Sequence, residues 1–163
     1  MDLSVSLGSL TIPNPLIAAS GCFGYGVEYA DAVDLAGLGG VAVKGLFLAP
    51  REGHVPPRIV ETPSGMINAI GLQGIGVHRF VKEKLPRLRE LGARNFVNVC
   101  GTTIDEYVEV SKVLSQHEGV HALELNIYHV PTDTTETGRA VESRVTEVVG
   151  QVKKSVDIPI AVK

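Results

Sequence analysis

Short apolar runs that alternate with helix-like segments constrain the fold of this chain more than any other feature. The runs occupy residues 16–19, 40–43, 95–100, 121–127 and 158–163. They are mostly apolar and do not alternate with polar residues, as in strands that are covered on both faces. Segments with helical spacing lie between them, at residues 28–38, 77–91, 103–114 and 141–156. This order predicts an α/β fold with parallel strands and right-handed crossovers.

Two architectures fit this order. A flavodoxin-like open sheet suits 163 residues, whereas a (β/α)8 barrel takes about 250. The sequence stops inside an apolar strand at Lys163, with no helix to cover it, which favours the barrel. We therefore predict a single incomplete TIM-barrel domain over residues 1–163. It is the N-terminal half of a (β/α)8 barrel, with about five strands, four helices and an N-terminal hairpin at residues 3–12.

Composition excludes several classes of partner. The net charge of -3 argues against nucleic acid or an anionic membrane as a partner. No apolar run reaches the roughly 18 residues that span a bilayer, and the N-terminus lacks a basic region followed by an apolar block. We expect a cytoplasmic protein. Cys22 and Cys100 form no CxxC motif and have no histidine at ligand spacing, so we expect no metal site and reduced thiols.

Residues 41–73 are the first candidate for a binding site. A short apolar run ends there in Lys44 and Gly45, and a long connection with four prolines follows. Irregular connections of this length tend to be lids or binding loops. Two alternatives stay open, because Lys44 could be a solvent-exposed lysine and residues 68–73 could be a surface turn. The apolar content of residues 66–72 favours packing over a ligand.

Polar or small residues recur at the ends of the predicted strands. Barrel enzymes place their chemistry at the carboxyl ends of the strands, so residues at these positions predict one shared site. Each residue alone could be a cap or a solvated side chain. The residues are Ser20, Gly21, Lys44, Gly45, Asn98, Asn126 and Lys163.

Five stretches of the chain resemble a known family. They read IPNPLIAASGCFGYGVEY, GGVAVKGLFLAPREG, PPRIVETPSGMINAIGLQ, FVNVCGTTIDEYVEV and ALELNI. Over residues 3–127 the chain resembles the class 1 catalytic subunit of dihydroorotate dehydrogenase, in particular its NAD-linked heteromeric branch. The resemblance implies a flavin-binding (β/α)8 barrel, in agreement with the fold predicted from the strand order.

The resemblance also implies a cofactor, a reaction and site residues. It implies an oxidoreductase acting on CH-CH groups, which uses FMN to oxidise dihydroorotate to orotate in de novo pyrimidine synthesis. A proton leaves C5 of dihydroorotate and a hydride leaves C6 for flavin N5, while a lysine near the flavin stabilises negative charge. FMN would contact Ser20, Gly21, Lys44, Gly45, Asn98, Asn126 and Lys163. The substrate would contact Lys44, Asn68, Ala69, Ile70, Gly71, Leu72 and Asn126.

The chain departs from the family after its fourth predicted strand. The family carries Asn-x-Ser-Cys-Pro-Asn there, with the cysteine as base, whereas this chain reads NIYHVP and places His129 at the cysteine's position. A histidine can act as a base near neutral pH, so His129 is a candidate catalytic residue together with Lys44. Alternatively, the protein is a noncatalytic or differently specific FMN-binding homologue. The tract NIYHVPTDTTETG resembles dihydroorotate dehydrogenase-like proteins.

The resemblance implies partners besides dihydroorotate and orotate. In the NAD-linked branch an iron-sulfur flavoprotein subunit passes electrons to NAD. We also expect a homo-oligomer, because unpaired strand edges of a half barrel invite association. The later strands of the family grip the flavin phosphate, so we expect residues 1–163 alone to bind FMN poorly and to be inactive.

Overall fold

The computed structural model describes residues 1–127 and 138–163 of the chain. From residue 85 onward the elements alternate between helices and strands, whereas only strands and a short 3-10 turn lie between the N-terminal hairpin and the first helix. The elements are β1 (Val5–Leu7), β2 (Leu10–Ile12), β3 (Ile17–Ala18), β4 (Gly40–Ala42), β5 (Ile59–Thr62), β6 (Gly65–Asn68), α1 (Val77–Glu83), α2 (Leu85–Glu90), β7 (Asn95–Val99), α3 (Ile104–Ser115), β8 (Val120–Leu125), α4 (Gly138–Ser155) and β9 (Ile160–Val162).

One sheet organises the molecule. Its five strands are all parallel and follow the chain in the order β3-β4-β7-β8-β9. Helices α1 and α2 follow β4, helix α3 follows β7 and helix α4 precedes β9. This half barrel confirms the predicted fold class, including the N-terminal hairpin of β1 and β2.

The outer face of the sheet packs against the helices. Alternate strand residues such as Val41, Val97 and Leu123 are fully buried there, in one cluster with Phe80 of α1 and Leu114 of α3. Burying side chains of this kind contributes about 1.5–3 kcal/mol each, so this cluster is the main core of the half barrel.

The inner face is apolar at the amino ends of the strands. Ala42, Phe96 and Ala122 pack there against Ile12 of the N-terminal hairpin. A Cβ atom on Gly40 would lie 2.4 Å from the Phe96 ring, so a glycine is needed beside it. The hairpin covers this face, which explains why the strands read as mostly apolar.

The prediction of a helix over residues 28–38 was wrong. The structure has only a short 3-10 turn at Val27–Tyr29, followed by further turns. Asp34 accepts a hydrogen bond from the backbone N–H of Ala36 at 3.1 Å. Aspartate side chains that bond nearby backbone in this way stabilise turns in competition with a helix.

Two other segments differ in detail from the prediction. The connection in residues 41–73 is not irregular throughout, because β5 and β6 form an antiparallel hairpin within it. The helix predicted at 77–91 divides at Lys84 into α1 and α2, with Pro86 in the first turn of α2. Proline lacks the backbone N–H that a continuing helix would use, so Pro86 accounts for the break between the two helices. In the described ranges, none of the helices combines the length and the apolar character that crossing a membrane requires.

Candidate functional site

A cavity of about 220 Å³ lies at the carboxyl ends of the parallel strands. It is lined by residues from the ends of these strands and by the segment that follows β6. Its lining residues are Ser20, Gly21, Lys44, Gly45, Ile70, Leu72, Gln73, Asn98, Asn126 and Lys163. All seven residues that were predicted from the strand ends therefore meet around one cavity.

Backbone hydrogen bonds hold these residues at the strand ends. The Lys44 N–H donates to the carbonyl of Gly24 at 2.8 Å, so the glycine-rich loop after β3 is tied to the end of β4. The Asn126 N–H donates to the carbonyl of Val99 at 2.8 Å. The Asn126 carbonyl accepts from the Tyr107 hydroxyl at 2.6 Å. The positions of the lining residues therefore follow from the parallel pairing of the sheet.

Lys163 and Ser20 connect the two edges of the sheet. The Lys163 ammonium donates to the Ser20 hydroxyl at 2.6 Å and to the Ser20 carbonyl at 3.1 Å. Strands β3 and β9 lie at opposite edges, so this contact spans the inside of the half barrel. It places a positive charge in the cavity beside a buried hydroxyl.

Amide side chains line the middle of the cavity. Asn98 is 1% exposed, and its carbonyl oxygen accepts from the Asn126 amide at 3.3 Å. The Asn98 amide nitrogen donates to the Ser20 hydroxyl at 3.3 Å and to the Glu124 carboxylate. Glu124 also accepts from the Ser20 hydroxyl at 2.5 Å. These side chains form one connected network below the cavity.

The segment 68–72 contributes only part of its length to the cavity. Ile70 and Leu72 line it, whereas Asn68 is an exposed residue of β6. Asn68, Ala69 and Gly71 are outside the lining. Contact of these three residues with a substrate stays a prediction.

Leu72 has an unusual backbone conformation. Its φ angle is +54°, in the left-handed region, and its side chain is 58% exposed at the cavity. A left-handed residue that is not glycine costs about 1–2 kcal/mol. Such residues concentrate at ligand sites, which agrees with the position of Leu72 at the cavity edge.

Neither described cysteine is suited to act as a base. Cys100 is buried, and its Sγ donates to the Asn98 carbonyl oxygen at 3.5 Å. Burial raises the pKa of the Cys100 thiol to about 11, so the thiol stays protonated at neutral pH. Cys22 is exposed and is not among the lining residues. His129, the candidate base, lies outside the described residues.

The sequence did not single out three residues of the site, although Arg58 and Gln73 lie within the candidate stretch 41–73. Glu124 carries the network below the cavity, Gln73 lines it, and Arg58 holds the segment that forms its edge. The Arg58 guanidinium donates to the Gln73 side chain at 2.9 Å and to the carbonyl of Glu52 at 2.9 Å. A signal for Glu124 existed, because it is a charged residue between Leu123 and Leu125 in an apolar run. Within residues 1–127 and 138–163, no group of three or more metal-binding side chains is present.

The whole chain matches one protein family. Residues 2–163 match the family model described as dihydroorotate dehydrogenase. The "Dihydroorotate dehydrogenase B (NAD(+)), catalytic subunit" of Thermodesulfovibrio yellowstonii is 54% identical over 134 residues, which are 82% of this chain and 44% of the relative. The protein of the same name from Geotalea daltonii is 42% identical over 99% of this chain and 53% of its own length. The chain thus spans about half the length of the curated relatives that it matches.

A solved structure has the same fold. It is the crystal structure of DHODH in complex with ferulenol from Eimeria tenella, which aligns with a TM-score of 0.63 at 23% identity. The alignment covers 94% of this chain and 44% of that chain. At this level of identity the likeness supports the barrel fold.

Proposed function

The chain belongs to the dihydroorotate dehydrogenase family, and on that basis we propose that its strand ends form half of the active site of an FMN-dependent dihydroorotate dehydrogenase. The enzyme oxidises dihydroorotate to orotate in pyrimidine biosynthesis. The observation that carries this proposal is the convergence of Lys44, Lys163, Asn98 and Asn126 on one cavity at the strand ends.

The residues around the cavity fit FMN. A flavin ring has carbonyl oxygens and ring nitrogens along one edge, and the cavity offers two ammonium groups and amide side chains to them. Gly21 and Gly45 allow the backbone to approach a ring, because neither has a Cβ atom. When bound, FMN supplies the acceptor for the substrate's hydride.

The chain's own residues bind, orient and stabilise charge. Lys163 is fixed by its two hydrogen bonds to Ser20 and keeps a third N–H for another acceptor. Lys44 and Lys163 would hold the flavin and stabilise the negative charge that it gains on reduction. Positive groups that are fixed in advance in a site poor in water stabilise such charge strongly. Ile70 and Leu72 contribute apolar side chains to the lining of the cavity.

The base is proposed to be His129, at the position of the family's cysteine. The second candidate function is a noncatalytic or differently specific FMN-binding homologue. It is favoured by the chemistry of the described cysteines, because the Cys100 thiol has a raised pKa and Cys22 does not line the cavity. An iron-sulfur flavoprotein subunit is the proposed electron-transfer partner, since the relatives are named as catalytic subunits. A homo-oligomer in the cytoplasm remains part of the proposal.

Two completed barrels test the proposal and separate its alternatives. In one, residues 1–126 are continued by the C-terminal part of the Thermodesulfovibrio yellowstonii relative; in the other, residues 1–163 are continued in the same way. The readouts are bound FMN and orotate formation from dihydroorotate. We expect both proteins to contain FMN and the first to form orotate.

The second barrel then identifies the role of the tract after Asn126. Orotate formation that is lost on His129→Ala supports His129 as the base. Bound FMN without orotate formation supports the noncatalytic alternative. If neither folded barrel contains FMN, the proposed site is wrong.

A matched pair of lysine variants tests the role of Lys44. Lys44→Ala in the first barrel is expected to slow flavin reduction by dihydroorotate about 10²–10³-fold, as removal of one fixed charge-stabilising group does. Lys112→Ala, on the exposed side of α3, removes the same charge far from the cavity and is expected to leave the rate unchanged. Equal rates in the two variants would exclude Lys44 from the reaction.

A further inference from the structure

Glu124 is a charged side chain on the inner face of the half barrel. It lies on β8 in register with Asn98 of β7 on one side and with Ala161 of β9 on the other. In parallel strands, residues in register point to the same face of the sheet. Among the described residues, no lysine or arginine forms an ion pair with Glu124. The carboxylate instead accepts hydrogen bonds from Ser20 and Asn98.

Only one assignment of donors and acceptors is consistent with the three hydrogen bonds of the Ser20 hydroxyl. A hydroxyl has one hydrogen to donate and two lone pairs to accept with. The Ser20 hydroxyl accepts from the Lys163 ammonium at 2.6 Å and from the Asn98 amide at 3.3 Å. Its single hydrogen is therefore directed to Glu124, at 2.5 Å. An ionised carboxylate only accepts hydrogen bonds, so this direction cannot reverse.

The Glu124 carboxylate also fixes the direction in which the Asn98 side-chain amide points. Its NH₂ group donates towards the Ser20 hydroxyl and the Glu124 carboxylate, which lie on the same side of the amide nitrogen. Its carbonyl oxygen therefore faces Cys100 and Asn126, and it accepts from the Asn126 amide at 3.3 Å. Rotating the Asn98 amide by half a turn would direct its oxygen at a carboxylate that has no hydrogen. The direction of the Asn126 amide follows from that of Asn98.

We propose that Glu124 is the positioning residue of the strand-end cavity. Its carboxylate sets the direction of the Ser20 hydroxyl and of the Asn98 and Asn126 amides, and so determines which donors and acceptors a bound heterocycle meets. Glu124 itself is not a lining residue, so it acts through these neighbours. The inference rests on the proposed function for the identity of the ligand, but the amide directions are measurable without any ligand.

The first measurement is NMR spectroscopy of the unaltered 163-residue chain. Nuclear Overhauser effects are expected from the two side-chain amide hydrogens of Asn98 to the Glu124 methylenes and to the Ser20 methylene. Effects from these hydrogens to the Cys100 methylene in place of Glu124 would mean that the amide is reversed, and would overturn the proposal. Because no residue is changed, this result does not depend on the folding of a variant.

The second measurement compares substitutions of two glutamates. Glu124→Gln replaces a charge-assisted hydrogen bond by a neutral one and introduces an NH₂ group that competes with Asn98. We expect the side-chain amide hydrogens of Asn98 to exchange with solvent about tenfold faster. Glu118→Gln removes a glutamate whose side chain is 86% exposed, and it is expected to leave their exchange unchanged. Equal exchange in Glu124→Gln and the unaltered chain would overturn the proposal.

Ser20→Ala separates positioning from general packing. It removes one partner of Asn98 but leaves the Glu124 carboxylate, so the Asn98 amide should keep the direction it has in the unaltered chain. A reversed Asn98 amide in Ser20→Ala would assign the positioning role to Ser20 and contradict the proposal.

Failure of the positioning role and failure of the proposed function are distinguishable. If the amide directions are as expected but the completed barrel contains no FMN, Glu124 keeps its positioning role and the proposed function is wrong. If FMN is bound but the amides are reversed, the proposed function stands without this role for Glu124.

Discussion

Gly45 is the residue at which the cavity tolerates least change. A Cβ atom at this position would lie 2.6 Å from Cys100 Sγ and 2.8 Å from Asn98 Oδ1. Asn98 is buried and held by several hydrogen bonds, so it has little freedom to move away. The absence of a side chain at Gly45 is therefore a condition for the amide network below the cavity.

Gly45→Ala is expected to lower the free energy of unfolding by about 1–3 kcal/mol, because it overpacks a filled site. Urea denaturation measures the effect. Gly65→Ala is the matched control, since a Cβ atom on Gly65 meets no heavy atom within 4 Å. The control is expected to change stability by less than about 0.5 kcal/mol. Equal denaturation midpoints for the two variants would contradict the close packing at Gly45.

Cys100 is expected to make the free energy of unfolding depend on pH in the alkaline range. Burial raises the pKa of its thiol from 9.0 to about 11. The unfolded chain therefore loses this proton at a lower pH than the folded chain. Between about pH 9 and pH 11 the unfolded state binds fewer protons, so the free energy of unfolding falls as pH rises.

The contribution of Cys100 is measured as a difference between two proteins. We expect the stability of the unaltered chain relative to Cys100→Ala to fall by about 2–3 kcal/mol as pH rises from 8 towards 11. Denaturation at several pH values gives this difference. A difference that is constant over this range would show that the folded thiol titrates normally.

At the scale of elements, Glu106 joins helix α3 to the loop after β4. Its carboxylate accepts from the Thr102 N–H at 2.7 Å, from the Thr102 hydroxyl at 2.8 Å and from the Leu48 N–H at 3.3 Å. Burial raises the pKa of Glu106, but these hydrogen bonds and the charge of Arg51 outweigh it and lower the pKa below 4.5. Its contribution to stability is therefore present above about pH 4.5 and is lost as pH falls through the lowered pKa.

Glu106→Ala is expected to lower the free energy of unfolding by about 1 kcal/mol at neutral pH, because backbone donors lose their acceptor. Glu109→Ala, at an exposed position of the same helix, serves as the control. The difference between the two variants should shrink in acid, where Glu106 is protonated in the folded chain. A loss that stays the same from pH 7 down to the pH of acid unfolding would argue that Glu106 acts without its charge.

Helix α4 contains a glycine that its packing does not require. A Cβ atom on Gly150 would meet no heavy atom within 4 Å. Gly150→Ala is therefore expected to raise the free energy of unfolding by about 0.5–1 kcal/mol through helix propensity. A lower denaturation midpoint for this variant would mean that the position is crowded in solution.

The elements that the sequence predicted well are those with strong local signals. The apolar strands and the amphipathic helix α3 were found, and the side chain of Thr103, the first residue of the predicted helix, accepts from the Glu106 N–H at 3.2 Å. The turns at residues 28–38 were missed because the Asp34 side chain competes with the helix at close range. Hairpin β5-β6 was missed because all residues of its two strands are exposed. Without a buried face, the strands show no alternation of apolar and polar residues in the sequence.

At the scale of the whole molecule, the parallel sheet accounts for the site. Strands that run in the same direction end at the same edge, so residues far apart in sequence meet there. The seven strand-end residues could be predicted for this reason, and the lining of the cavity contains all of them. Glu124 had only the weak signal of a charge within an apolar run, because its role depends on contacts with Ser20 and Asn98, which are distant in the chain.

We propose that these strand ends hold a flavin and its substrate. A crystal structure of the completed barrel that begins with residues 1–163, grown with FMN and orotate, would show whether they do. We expect the flavin ring to lie within hydrogen-bonding distance of the Lys44 and Lys163 ammonium groups, with orotate beside Asn126. A flavin bound away from Lys44 and Lys163 would contradict it.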